Sequence, residues 1–488
     1  MPGVVISTAV RTGPSVPVIN EASQAFFVGL TRRGPSDSAV LVRSLEEFND
    51  VFGAYASWSL LYPTVEMFFE EGGTQCYIAR VVGPAADKGT LDLDDATADP
   101  SIVLTANGEG DWSSDISAQV VAGTVSGTFA VKIFADGQLI ATTGNCASRD
   151  VAIGKINLHP EASKVVFASA GTSEDNPATM GSAASLSAGD DDRASVVDSH
   201  YATALGLFND ALGTGAIACP ESSSSTVYTA LLAHANAYSR VAILHGASNA
   251  SISAIKTFAQ SIVTTESNLE HGALYYPWVY APTAVAGVNR LLPPDGYVAA
   301  KRAKVINSGG PHIPAAGVNS EAVFVNGVVT DVDRTNGDAL DDESINAIRV
   351  INNTVRIYGA RSLSQDTTNF RYITAQDTVN GIVVDSYRAL EPLVFSPIDG
   401  RGGIFASVEA RLISVLEGYR VSGALYEAFD ANGRRVDYGY TVKCDGTLNP
   451  VSQLVDGKVK AKVGVRVSSV GDKLEVEIVK SSLTTSVT

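Results

Sequence analysis

Gly213, Gly215 and Ala218 fall in the order GxGxxA, the spacing with which a tight turn cradles a dinucleotide pyrophosphate. That chemistry needs a strand before the glycines and a helix after them. Here a helical period precedes and an apolar, strand-like run follows, so the glycines read as the end of a helix. Asp331, Asp333, Asn336 and Asp338, in DVDRTNGD, set out oxygen ligands at nearly the spacing of a calcium loop. The glycine that such a loop requires comes one place late, at Gly337, and Asp342 stands where its closing glutamate belongs. A solvated acidic turn is the better reading. The histidines His159, His200, His234, His245, His271 and His312 form no HExxH and no close pair with a cysteine, and there is no GxSxG elbow. His245 closes an apolar run, which suits a core or sheet-end position more than a catalytic one. Cys76, Cys146, Cys219 and Cys444 are widely spaced and form no CxxC. They predict reduced thiols and no metal, with disulfides between subunits left open. Asn249-Ala250-Ser251 and Asn352-Asn353-Thr354 match the glycosylation sequon, which is incidental without a secretion signal. These residue types predict no enzyme, no metal and no cofactor.

The elements that would position any site belong to a long chain. Its 488 residues call for about two to four domains. With 45% hydrophobic and 18% charged residues it is globular, and its net charge of −17 argues against nucleic acid or an anionic membrane as partner. The charge is uneven. Residues 91–200 hold 16 acidic against 5 basic residues, a net of −11, whereas residues 401–480 hold 12 basic against 10 acidic, a net of +2. The first reads as a solvated exterior, the second as a surface able to face an acidic partner or as ordinary surface variation. The opening residues lack a basic start and are broken by Pro2, Gly3, Gly13 and Pro14, which is not a signal peptide. No apolar run reaches the ~18 residues of a membrane span.

In chain order, residues 1–20 read as an extended arm whose short β-prone run, Val4, Val5 and Ile6, cannot make a sheet alone. Residues 21–87 begin a core domain: the strand AFFVGL, the helix SLEEFNDVFG capped by Ser44 with Glu47 three residues on, a helix opening at Pro63, and the strand QCYIARVV. Residues 88–198 turn to alternating β segments, with a hairpin signal at Asp136-Gly137, and predict an inserted all-β domain. From 199 to 340 strands and helices alternate as in βαβ units, and 293–340 reads as irregular. Residues 341–470 carry a strand pair, a long helix pair, and KVGVRV, which sets Val463, Val465 and Val467 on one face. After a turn at Gly471-Asp472, residues 471–488 form a C-terminal arm. Its run KLEVEIVK puts Leu474, Val476 and Ile478 on one face, with Glu475 and Glu477 on the other. An alternating strand with so little chain left to cover its edge needs a partner, and another copy of the protein supplies one. The fold class is mixed, α+β with α/β, in several domains: helices on mixed sheets, an all-β insert and two arms.

Several of these stretches, in this order, resemble the sheath proteins of contractile phage tails and related injection systems. They are PGVVI followed by AFFVGLTRRGP, then SLEEFNDVFG, then PTVEMFFEEGGTQCYIARVVG and GAIACP. The most specific is INAIRVINNTVRIYGARSLSQDTTNFRYITAQ, followed by the helix pair, YTVKCDGTLNP and the terminal strands. Only Pro314-Ala315-Ala316-Gly317 stands where the family carries a longer basic and aromatic motif. The resemblance implies a sheath-type core and a helical homo-oligomer wrapped around an inner tail tube protein, with baseplate and tail terminator as further partners. It implies contraction that drives the tube through the target envelope, location in the virion tail sheath, and assembly in the host cytoplasm. It gives no role to nucleic acid binding or membrane insertion. Arms at Val4–Ile6 and at residues 474–478 would add strands to neighbouring copies. Arg401, Arg411, Arg420, Arg434 and Arg435 would face the tube or pair within the subunit. A sheath from a bacterial injection device, or a β-rich surface binding protein, are the alternatives.

Overall fold

In the computed structural model, residues 21–472 are described, apart from Ala284 and Ala286. The arm residues Val4, Val5 and Ile6, and Leu474 to Ile478, lie outside the described residues.

Apolar runs make the centre. Eight strands form one sheet in the order Thr354–Tyr358, Ile345–Ile351, Gly272–Tyr276, Val241–His245, Ala216–Ala218, Ala25–Gly29, Cys76–Arg80, Val40–Val42. The six inner strands are parallel and the two edge strands antiparallel. Strands covered on both faces need no polar alternation, which is why AFFVG, VAILH and GALYY are buried throughout. Successive side chains still part to opposite faces. Phe27 joins helices Leu61–Glu70 and Asp295–Gly309 in one core, while Phe26 and Val28 join helices Ser225–Ala237 and Ile252–Thr265 in the other.

Local signals behave as their chemistry requires. Ser44 Oγ accepts the Glu47 N–H at 3.1 Å, and the Glu47 carboxylate accepts the Arg43 N–H at 2.7 Å. Helix Leu61–Glu70 begins two residues before Pro63, which occupies its first turn, where no N–H is needed. Gly213, at φ 80°, ends a 3-10 turn and the strand Ala216–Ala218 follows it, so the GxGxxA run has no helix to present.

Between Cys76–Arg80 and Ala216–Ala218 the chain builds a three-stranded and a four-stranded sheet around a core of their own, which includes Trp112, Val120, Val131 and Val166. Asp136 and Gly137 both take positive φ in the hairpin turn. Helices Arg149–Leu158 and Ala162–Val165 also lie here, an addition to the β pattern read from the sequence. The longer helix buries only Ala152 and Ile156, too narrow a stripe to show as periodicity.

The stretch 293–340 is corrected by the structure. It contains helix Asp295–Gly309, eleven of whose residues are buried, and helix Arg334–Asp341, capped by Asp333. The first is invisible to hydropathy because its buried face carries charge. Lys301 meets Glu71 at 2.5 Å, both almost wholly buried. Glu71 also accepts the N–H groups of Val323, Phe324 and Val325 at 2.7–2.9 Å. Removing one member of such a site strands the other in low dielectric. Glu71→Ala is therefore expected to cost ~3–5 kcal/mol, measured as a fall in the urea midpoint. Lys164→Ala, which breaks the exposed pair with Glu161, is expected to change stability by less than ~0.5 kcal/mol.

Candidate assembly surfaces

The last hundred described residues are built around a helix pair, Ile373–Leu390 and Gly403–Val421. Its interior is small: Ile404, Val408, Leu412 and Cys444 in one cluster, Ile382, Leu416 and Leu425 in another. Its exterior is unusually apolar. Of the 27 large hydrophobic side chains that stand exposed among the described residues, 13 lie within residues 383–463. Phe395, in the loop between the helices, is fully exposed and sits at φ 64°. A bulky residue rarely holds that conformation. Flanking backbone bonds, Val394 N–H to Glu391 O and Ser396 N–H to Leu393 O at 3.0 Å, set the turn. An exterior with this many exposed apolar side chains is a candidate contact surface.

A strand edge lies beside it. Tyr440–Lys443 pairs antiparallel with Lys462–Val465, and Val467 bridges onward to Leu425. The run that carries Val463, Val465 and Val467 thus pairs with Tyr440–Lys443 and, beyond the end of that strand, with Leu425. In this two-stranded sheet Tyr440–Lys443 and Lys462–Val465 are each paired on one side only by strands among the described residues. YTVK is too short a run to declare an edge by its pattern alone.

The five arginines fall in different settings. Arg420 donates to Glu417 and Glu427, and Arg435 to the same Glu427 oxygen at 2.9 Å. The two guanidiniums lie 5.8 and 4.5 Å from the Tyr438 ring. Hydrogen bonds from Arg420 and then from the Tyr440 hydroxyl hold Glu417 below the usual carboxylate range; Arg435 and then Arg420 do the same for Glu427. Arg411 donates to Ala389 O at 2.9 Å, near the end of the neighbouring helix. Arg401 and Arg434 are exposed. The structure therefore joins Arg420 to Arg435 through one carboxylate and leaves the others apart. Glu417 and Glu427 were missed at the sequence level, although the Glu417–Arg420 spacing of three on a helix was a usable signal.

In a doubly wound sheet, ligands bind beyond the strand ends where the order reverses, against a helix N-terminus. Here that point lies between Ala25–Gly29 and Ala216–Ala218, at the start of helix Leu61–Glu70. Glu221 fills it. Its carboxylate accepts the N–H groups of Leu60 and Leu61 and the Ser59 hydroxyl at 3.0–3.1 Å. The chain's own anion takes the place a phosphate would need.

His245 is buried, with Nδ1 3.0 Å from Asp295. No group of three or more potential metal ligands occurs among the described residues. No helix among them is long and apolar enough to cross a membrane. All four cysteines are free and buried, and burial pushes the thiols of Cys76, Cys219 and Cys444 upward. Ellman's reagent at pH 8 is expected to find the thiols unreactive in the native protein and all four reactive in guanidinium. A fast-reacting native thiol would contradict this burial.

No protein-family model matches the chain, and no curated protein sequence matches it. Solved structures do match. The chain is similar to the sheath tail protein of Listeria innocua, at a TM-score of 0.62 and 14% identity, over 89% of this chain and 93% of that one. It is similar to the sheath tail protein of Desulfitobacterium hafniense, at 0.54 and 14%, over 90% and 93%. It also matches a chain from the contracted helical sheath of the anti-feeding prophage, at 0.53 and 16%, over 99% of both chains. The agreement spans the large mixed sheet, the insert and the helix pair together, so this chain has the fold of the contractile sheath proteins.

Proposed function

We propose that the chain is the structural subunit of a contractile tail sheath, polymerising around an inner tube and contracting to drive that tube through a target cell envelope. One observation carries the reading: the sheath-protein fold extends over nearly the whole chain. The surface supports it. The helix-pair region has a small core, a dense set of exposed apolar side chains and an unpaired strand edge at Tyr440–Lys443. Strand addition by another copy would satisfy that edge with main-chain hydrogen bonds. The segments 1–20 and 473–488 are the strands to be donated, with Val4, Val5 and Ile6 in one and Leu474, Val476 and Ile478 in the other. Bonds of this kind persist while the bodies they connect rotate.

The energy for contraction resides in assembly. Each ~400 Å² of further apolar surface buried per subunit is worth ~10 kcal/mol, without any nucleotide. Glu221, filling the anion position, fits a subunit that performs no catalysis. The inner tube, the baseplate and a tail terminator are the partners. Arg401 and Arg434, exposed on the more basic region, suit weak contacts that an acidic tube could make and release. The match over 99% of both chains with the anti-feeding prophage sheath favours a second setting, the sheath of a bacterial injection device.

Electron microscopy of the purified protein is expected to show long hollow cylinders of constant diameter. A chain lacking residues 1–20 is expected to remain a folded monomer that no longer polymerises. Monodisperse monomers of the full chain at high concentration would sink the proposal, and cylinders from the shortened chain would remove the role of that segment.

A further inference from the structure

Two arginines fasten the two ends of the described chain to one short stretch. At the first end, the Ala22 carbonyl accepts Nη1 of Arg302 at 2.8 Å. The same guanidinium donates Nε to both oxygens of Asp377 at 2.9 and 3.2 Å, and its Nη2 bonds Asp377 as well. Arg302 and Asp377 are both buried. At the other end, Asp472 meets Nη2 of Arg361 at 2.9 Å. Arg361 also grips Asp341 through Nε and Nη2 at 2.6 Å, and its guanidinium lies 5.0 Å from the Tyr372 ring. The Tyr372 hydroxyl bonds Asp472 in turn. Tyr372 is the N-cap of helix Ile373–Leu390, and Asp377 is that helix's fifth residue. Residues 450 positions apart in sequence are thus tied within the first two turns of one helix.

We infer that the start of helix Ile373–Leu390 is a common anchor for both terminal segments, with Arg302 and Arg361 as its positioning residues. The inference rests on the sheath reading, in which neighbouring copies hold one another through those segments. A pull on residues beyond Asp472 reaches Tyr372 and Asp341 through Arg361. A pull on residues before Glu21 reaches Asp377 through Arg302. Arginine suits both posts because its planar fork grips a carboxylate with two bonds: Arg302 keeps Nη1 for the Ala22 carbonyl, and Arg361 shares Nη2 between Asp341 and Asp472. Gln24 reinforces the first post, its side chain donating to Leu212 O at 2.5 Å and Thr214 O at 3.1 Å.

The test is Asp472→Asn in the full chain, which removes the charge but leaves the Arg361–Asp341 pair in place. On the monomer, amide exchange across residues 466–472 is expected to rise about tenfold, with the strand Val241–His245 and the melting temperature unchanged. Cylinders of the variant are expected to break into short pieces under shear that wild-type cylinders withstand. Unchanged exchange overturns the clamp whatever the assembly does. Changed exchange with cylinders as robust as wild type overturns the load-bearing role while the sheath reading stands. A wild type that never polymerises overturns the sheath reading and this inference with it. Should Asp472→Asn lower the melting temperature, Tyr372→Phe removes only the hydroxyl contact and is held to the same two readouts.

Discussion

Helix Asp295–Gly309 enters the interior with three ionisable side chains aimed at three different parts of the molecule, and each must find a polar partner for the helix to be buried at all. Asp295 meets His245 at the end of a central strand, Lys301 meets Glu71 at the end of helix Leu61–Glu70, and Arg302 meets Asp377 on helix Ile373–Leu390. Burying a charge costs several kcal/mol, and pairing repays it only when the geometry is close. Apolar packing alone would let neighbouring helices slide by a fraction of a turn. A salt bridge in low dielectric tolerates far less, so this one helix fixes the register of the sheet, the adjoining helix and the helix pair together.

That requirement explains which parts of the fold could be read from the chain. The central strands announce themselves as apolar runs because both of their faces are covered. Asp136-Gly137 marks a tight hairpin because the positive φ of both positions favours those residue types. Ser44 and Glu47 name a helix start because their side chains replace missing partners of the first turn. Helix Asp295–Gly309 was hidden for the opposite reason. Its burial depends on Glu71, His245 and Asp377, residues 50 or more positions away in the sequence, and its own hydropathy records charge where the structure has core.

The assembly surface was legible in part. Alternation at residues 462–467 marks a run that forms the strand Lys462–Val465, paired on one side with Tyr440–Lys443, while the run 473–480 lies outside the described residues. Side-chain period reports which face of a strand is apolar and says nothing of which edge is free. The arginines show the same limit. Five basic residues in one region looked interchangeable, yet Arg420 and Arg435 are held by Glu417 and Glu427 while Arg401 and Arg434 reach solvent.

A subunit that moves against its neighbours without unfolding must separate the interactions that hold its body from those that hold the lattice. The body here is tied by buried ion pairs, which do not slip. The helix-pair region exposes two other kinds of surface: apolar area, which is indifferent to exact register, and a strand edge, whose hydrogen bonds are directional but independent of side chains. Apolar contact allows two packings of the same bodies at similar cost and lets the larger buried area prevail. Strand pairing can persist while the bodies it joins rotate. Phe395 and its exposed neighbours within residues 383–463 belong to the first kind, and Tyr440–Lys443 to the second. Because Arg302 and Asp377 tie helix Asp295–Gly309 to helix Ile373–Leu390, the helix pair and the body keep one register beneath those surfaces.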